Sequence, residues 1–161
     1  MIVREVVKKR IRVDDAVFSS EEVYKGLRSA GEAAGFGVVE KEQEMKSGKY
    51  GTERKFSFIV TRRFDDFARG DILVEMKFEN LNKVKQDGKE LERGDVEVNM
   101  VSNVVLDVRN EWSMQKFHKM MFELYLKYIM REKFKQLYFK PVVVATEKIY
   151  EGLKEKLEYY R

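Results

Sequence analysis

Cysteine is absent from all 161 residues. This removes disulfides, thiolate metal sites and cysteine nucleophiles, and with them the usual support of a small secreted domain, so the expected compartment is the cytosol. Histidine occurs once, as His118, which excludes a two-histidine metal site and leaves a lone imidazole with no evident nucleophile or orienting carboxylate. Proline also occurs once, as Pro141. No stretch approaches the roughly 20 apolar residues of a membrane span. The opening MIVREVVKKRIRV alternates charged with β-branched residues where a signal peptide needs an unbroken apolar run. Glycine-rich phosphate loops are missing too, the ten glycines falling at expected turns and helix ends. No catalytic motif, metal site or cofactor site emerges, and the reading leans away from an enzyme.

What is present in quantity is charge. Charged residues make up 37% of the chain, with both signs interspersed, a composition common in proteins from hot environments, where surface ion-pair networks are favoured. The net charge of +4 is unevenly spread. Basic residues gather in 1–13 (Arg4, Lys8, Lys9, Arg10, Arg12) and in 116–140 (Lys116, Lys119, Lys127, Arg131, Lys133, Lys135, Lys140). These are solvated faces or the footprint of an anionic partner. A chain of this length fits one domain over residues 1–161 and buries roughly two thirds of its extended surface, enough for a core without staples.

Periodicity sets the order of elements. Residues 2–13 alternate in the strand period, with Val3, Val7, Ile11 and Val13 expected on one face and Arg4, Lys8, Arg10 and Arg12 on the other. Ser19-Ser20-Glu21-Glu22 reads as a capping box, followed by Val23, Leu27, Ala30 and Ala34 at helical spacing up to Gly35. From Phe36 to Glu111 the pattern is alternating strands broken by turn signals at 47–51, 65–70, 86–89 and 93–94, which predicts an antiparallel meander. After Trp112 the period becomes helical: Ser113 is a candidate cap, and Phe117, Met120, Met121, Leu124, Tyr125, Tyr128 and Ile129 form one broad face. A second pattern runs through Val142, Ala145, Ile149, Leu153 and Leu157, with Pro141 marking a boundary or kink. The order is β, α, a long meander, then α-α, with the sheet expected to wrap around the last helix because no other element has enough apolar surface to cover it.

Arg-Gly-Asp occurs twice, at 69–71 and 93–95. Without a leader for export an adhesion role is not expected. Both copies are read as places where a turn ends and a strand begins, with Gly70 and Gly94 relaxing the backbone.

Strand one, the short helical segment after it, Asp95-Val96-Glu97-Val98 leading into a long late strand that ends near Asp107-Val108-Arg109-Asn110-Glu111-Trp112, and the C-terminal helix together resemble the helix-grip fold of the START-like superfamily. That superfamily includes lipid-transfer domains, the birch-pollen allergen family and polyketide cyclases. The chain looks most like small archaeal members with a Gly-Asp pair before the penultimate long strands. It departs in its short, glycine-punctuated first helix and in Pro141, where superfamily members usually keep one continuous helix. The resemblance implies an α+β fold and the capture or transfer of a hydrophobic or amphipathic small molecule or lipid, with cyclase-like use of the cavity as an alternative.

If the apolar strand faces point at the gripping helix, the space is lined by Phe56, Phe58, Val60, Ile72, Val74 and Met76, with Phe78, Val98, Met100, Phe117, Met121 and Leu124 completing it. A filled core gives the same pattern. Glu5, Lys9, Arg54 and Arg62 share the parity of buried faces, so each is expected to orient a ligand, to be bridged, or to reach water at a flared strand end. The carboxylate pairs Asp14-Asp15, Asp65-Asp66 and Glu40/Glu42 read as turn, cap or solvent-face residues rather than a hydrolytic pair. The segment 117–139 is dense in Met, Phe and Tyr over more than half its circumference, and three placements are open: buried on two sides, docked on a second copy as a homodimer, or laid on a membrane with its lysines at the headgroups. Nucleic acid is not expected, because the sheet aromatics lack the spacing of an RNA-binding signature.

Overall fold

The computed structural model describes residues 1–111 and 116–158. Trp112, where the period was expected to become helical, and Ser113, the candidate cap of the next helix, lie outside the described residues. The architecture is α+β. Strands β1 (Ile2–Phe18), β2 (Gly37–Gly48), β3 (Gly51–Arg63), β4 (Ala68–Gln86) and β5 (Lys89–Leu106) form one antiparallel sheet in the order β1-β5-β4-β3-β2. Helix α1 (Ser20–Ala33) follows β1. After β5 come α2 (Lys116–Tyr128), the short α3 (Arg131–Phe134), a π-helical turn (Lys135–Phe139) and the long α4 (Lys140–Glu158).

Local chemistry accounts for the helix ends. Ser19 accepts the amide of Glu22 at 3.4 Å, satisfying a first-turn donor. At the other end, the amides of Ala34, Gly35 and Phe36 bond back to the carbonyls of Ala30, Glu32 and Gly31, with Gly35 at φ +82° making the left-handed exit. Pro141 brings no amide donor, and the wide π-helical turn immediately before it absorbs that loss without ending the helix.

The sheet is curved by bulges, where one strand inserts a residue against its neighbour. In β1 they fall between Glu5 and Val7 and between Val13 and Ala16; in β4 one falls between Glu79 and Asn82. The first corrects the strand-one expectation: the bulge flips the parity, so Ile2 is buried and Val3 is 56% exposed, while Ile11 and Val13 remain inside.

Side chains in register line up in rows across the inner face, such as Phe58–Val74–Met100 and Phe56–Met76–Val98–Ile11. Against them pack Val142, Ala145, Ile149, Leu153 and Leu157 of α4 and Val23 and Leu27 of α1, forming one contiguous core. Inside it the hydroxyls of Ser102 and Thr146 meet at 2.6 Å, and Thr146 also donates to the Val142 carbonyl at 2.7 Å.

The first Arg-Gly-Asp copy follows the Asp65–Ala68 turn and opens β4 as expected, whereas the second lies inside β5, where no turn ends; both glycines are there for close approach. A Cβ on Gly70 would stand 2.6 Å from Cγ2 of Val142, where α4 crosses the sheet. On Gly94 it would stand 2.6 Å from the Glu79 carbonyl oxygen, beside the β4 bulge. The first copy seats a helix and the second seats a bend.

Candidate functional site

The twelve residues proposed as a lining separate into two groups. Phe58, Val60, Ile72, Val74, Met76, Phe78, Val98 and Met100 are buried to 2% exposure or less within the core, and Phe56 is half-buried beside Phe58 and Phe78. Phe117, Met121 and Leu124 do not join them: they are 63%, 50% and 45% exposed on α2. Grooves of about 450, 340 and 430 Å³ open on the surface. Phe56 and Met76 edge the first, on the outer side of the sheet, among Glu42, Glu75 and Lys77; the other strand residues line none of the three.

The inward-parity charges meet different fates. Lys9 reaches Glu147 of α4 at 2.9 Å, and that partner, by hydrogen bond and charge, raises its pKa. Arg54 approaches Glu92 at 3.7 Å, and Glu92 also accepts from Ser20 at 3.0 Å. Glu5 faces water with Lys8, and Arg62 sits exposed at a flared strand end. His118 is exposed beside Phe117. Among the described residues no three acidic or imidazole side chains converge as a metal site, and no helix is long and apolar enough to cross a membrane.

Among the described residues, α2 leaves a broad apolar arc exposed. At 3.6 residues per turn, Met120, Leu124, Phe117, Tyr128, Met121 and Tyr125 fall in that angular order across an arc of about 140°. All six are between 42% and 71% exposed, and Ile129 continues the surface past the helix end. Lys127 and Lys116 border this arc on one side, with Lys119 beyond them and only Glu123 between. The helix is held by its opposite side: Phe122 is buried, its ring 5.4 Å from that of Phe67, and Leu126 is partly buried against the core. The sequence shows apolar residues around most of this helix, and period alone does not say which arc the fold consumes. The fold consumes the narrow one.

Beneath α2 lies the 430 Å³ groove, floored by Leu106, Leu126, Phe134 and Phe139 and rimmed by Arg4, Lys127, Arg131 and Lys135 together with the carboxylates of Glu5 and Glu123. Arg4 reaches across to Glu123 of α2 at 3.5 Å. The neighbouring Asp65–Ala68 turn is braced by the Asp65 carboxylate, which accepts the amides of Phe67 and Ala68 at 2.8 Å and the Tyr138 hydroxyl at 2.6 Å.

Compared with known proteins, the chain matches no family model, and no curated protein shows significant similarity to it.

Proposed function

We propose that this chain is a helix-grip domain of the START-like type that attaches peripherally to anionic lipid surfaces through α2. The observation that carries the reading is the exposed apolar arc of α2 with lysines along its border. An amphipathic helix of this kind lies in the interface plane, its apolar side chains among the upper acyl chains and its lysines at the headgroups. Each half-exposed side chain taken out of water contributes about 1 kcal/mol, and each lysine near an anionic surface contributes a similar amount. A second copy is the competing occupant. In a symmetric antiparallel pairing the lysine border of one helix runs alongside the same border of the other, so like charges meet, which an anionic surface turns into attraction.

The test is amide hydrogen exchange with and without vesicles. Amides of 116–128 are expected to gain protection when phosphatidylserine-containing vesicles are added and to remain unprotected with phosphatidylcholine alone. Protection that rises with protein concentration and ignores vesicles would assign the face to a dimer instead.

A second reading, capture of an amphipathic small molecule, is favoured by the groove beneath α2, whose apolar floor and rim of Arg4, Lys127, Arg131 and Lys135 against Glu5 and Glu123 suit a single-chain anionic amphiphile and whose volume lies within the range of ligand sites. Native mass spectrometry after gentle purification tests it, a co-purifying amphiphile being the expected result.

A further inference from the structure

A separate groove of about 340 Å³ opens between the end of α1 and the first turns of α4, with Gln136 of the π-helical turn and no residue of α2 in its lining. Its walls are small and apolar: Ala33 and Ala34 on one side, Pro141, Val144 and Ala145 on the other. Three cations reach it from separate positions, Arg62 at the end of β3 and Lys140 and Lys148 on α4, and no carboxylate lines it. The two lysines are two helical turns apart, about 12 Å along the axis, with Val144 between them and Arg62 facing from the sheet.

Arg62 is exposed at the end of β3, and its guanidinium leans on one ring while its donors face solvent. It lies 5.4 Å from the ring centre of Phe64 and close to Gly35, where a Cβ would stand 3.4 Å from Nη1. It makes no hydrogen bond or ion pair with any other described residue, and neither Lys140 nor Lys148 has a carboxylate partner among them. At the end of α1 the carbonyls of Ala30, Glu32 and Gly31 already take the amides of Ala34, Gly35 and Phe36. A planar fork with unused donors matches an oxyanion that can accept two parallel hydrogen bonds, and flanking lysines supply the remaining charge.

We propose that this groove binds a small oxyanion, a carboxylate or phosphate, carried on a short apolar or aromatic body. The oxyanion sits on the Arg62 fork between Lys140 and Lys148, and the apolar body lies along Pro141 and Val144. The π-helical turn that precedes Pro141 widens α4 at this point, a distortion that recurs at ligand sites in helices.

The experiment is an amide-resolved NMR titration of the full chain with phenyl phosphate, benzoate and inorganic phosphate in parallel. The expected result is saturable binding of phenyl phosphate or benzoate, whichever is tighter naming the oxyanion, with shifts confined to 33–36, 62–64 and 136–148. Inorganic phosphate is expected to bind about tenfold more weakly for want of the apolar contact. Arg62→Gln is expected to weaken the better ligand about tenfold, and Arg62→Lys, which keeps the charge and loses the fork, by about threefold or more. Lys25→Gln, which changes net charge on the exposed side of α1, is expected to leave binding unchanged. Circular dichroism of each variant confirms that it is folded. Shifts that never saturate, equal binding of inorganic phosphate and phenyl phosphate, or equal losses in Arg62→Gln and Lys25→Gln would each overturn the proposal.

Discussion

Asp95 accepts the backbone amide of Asp15 at 2.9 Å, and through its other carboxylate oxygen it accepts the Asn80 side-chain amide at 3.2 Å. Asp15 and Asn80 are the left-handed residues of the bulges in β1 and β4, at φ +56° each, and β5 runs between them. One carboxylate therefore fastens two bends on either side of the strand that carries it, and Arg93, two residues earlier, grips the Asp15 carboxylate through two nitrogens. The second Arg-Gly-Asp is a curvature clamp. Asp95→Ala is expected to lower stability by about 1 kcal/mol, measured as a shift in urea midpoint at unchanged slope.

The first Arg-Gly-Asp has a different task. Because a methyl on Gly70 would press on Val142 from 2.6 Å, Gly70→Ala must push α4 off the sheet or distort β4. A loss of about 1–3 kcal/mol is expected in thermal or urea unfolding. Asp71, next in line, accepts from Thr61 at 2.7 Å and from the Arg69 guanidinium, so its carboxylate is already engaged within the sheet.

The Ser102–Thr146 contact links β5 to α4 through polar groups inside the core, both side chains being fully buried. Thr146→Val leaves the Ser102 hydroxyl without that partner, and about 1–3 kcal/mol of destabilisation is expected. Ser102→Ala is expected to cost less, because Thr146 still donates to Val142. The double variant is expected to be more stable than the sum of the two single losses, and a double-mutant cycle in urea measures the difference.

Tyr138 and Asp65 link the α4 side to the turn beneath α2 and give stability a pH signature. Burial, then the Asp65 carboxylate, pushes the Tyr138 phenol from 10 up to about 12. For Asp65, burial acts upward, but bonds from Tyr138 and from the amides of Ala68 and Phe67, with Arg63 nearby, outweigh it and hold the carboxyl below its ordinary 3.8. The raised phenol stabilises the fold fully below pH 10 and loses that contribution as pH rises to about 12. The depressed carboxyl contributes above pH 3.8 and loses its share as pH falls through its lower folded value. Tyr138→Phe is expected to cost about 1 kcal/mol at neutral pH. The gap from the unaltered protein should close in both flanking windows, as read by unfolding across pH.

The order of elements was legible because strands and helices imprint different periods, and the α4 stripe from Val142 to Leu157 is buried as its spacing implies. Val3 was misplaced because a single inserted residue reverses the faces of everything before it, and a bulge leaves no mark in an alternating sequence. The glycines of the two Arg-Gly-Asp copies were read as turns because tight packing and chain reversal call for the same residue. The candidate surface was half legible. Its residues were named, but Phe117, Met121 and Leu124 were assigned to the interior, since a helix apolar on two arcs does not reveal which arc meets the core. Arg62 was singled out by parity, yet its place beside Phe64 and Gly35 depends on contacts between distant segments.

Vesicle flotation of the unaltered protein beside the double variant Phe117→Ser, Leu124→Ser tests the central claim most directly, because both changed positions are exposed and leave the Phe122 anchor in place. The account predicts that the unaltered protein floats with phosphatidylserine-containing vesicles, stays in the dense fraction with phosphatidylcholine alone, and is released by salt, while the variant loses about tenfold or more in binding. An unaltered protein that stays in the dense fraction with anionic vesicles, or a variant that floats as well as it does, would contradict it.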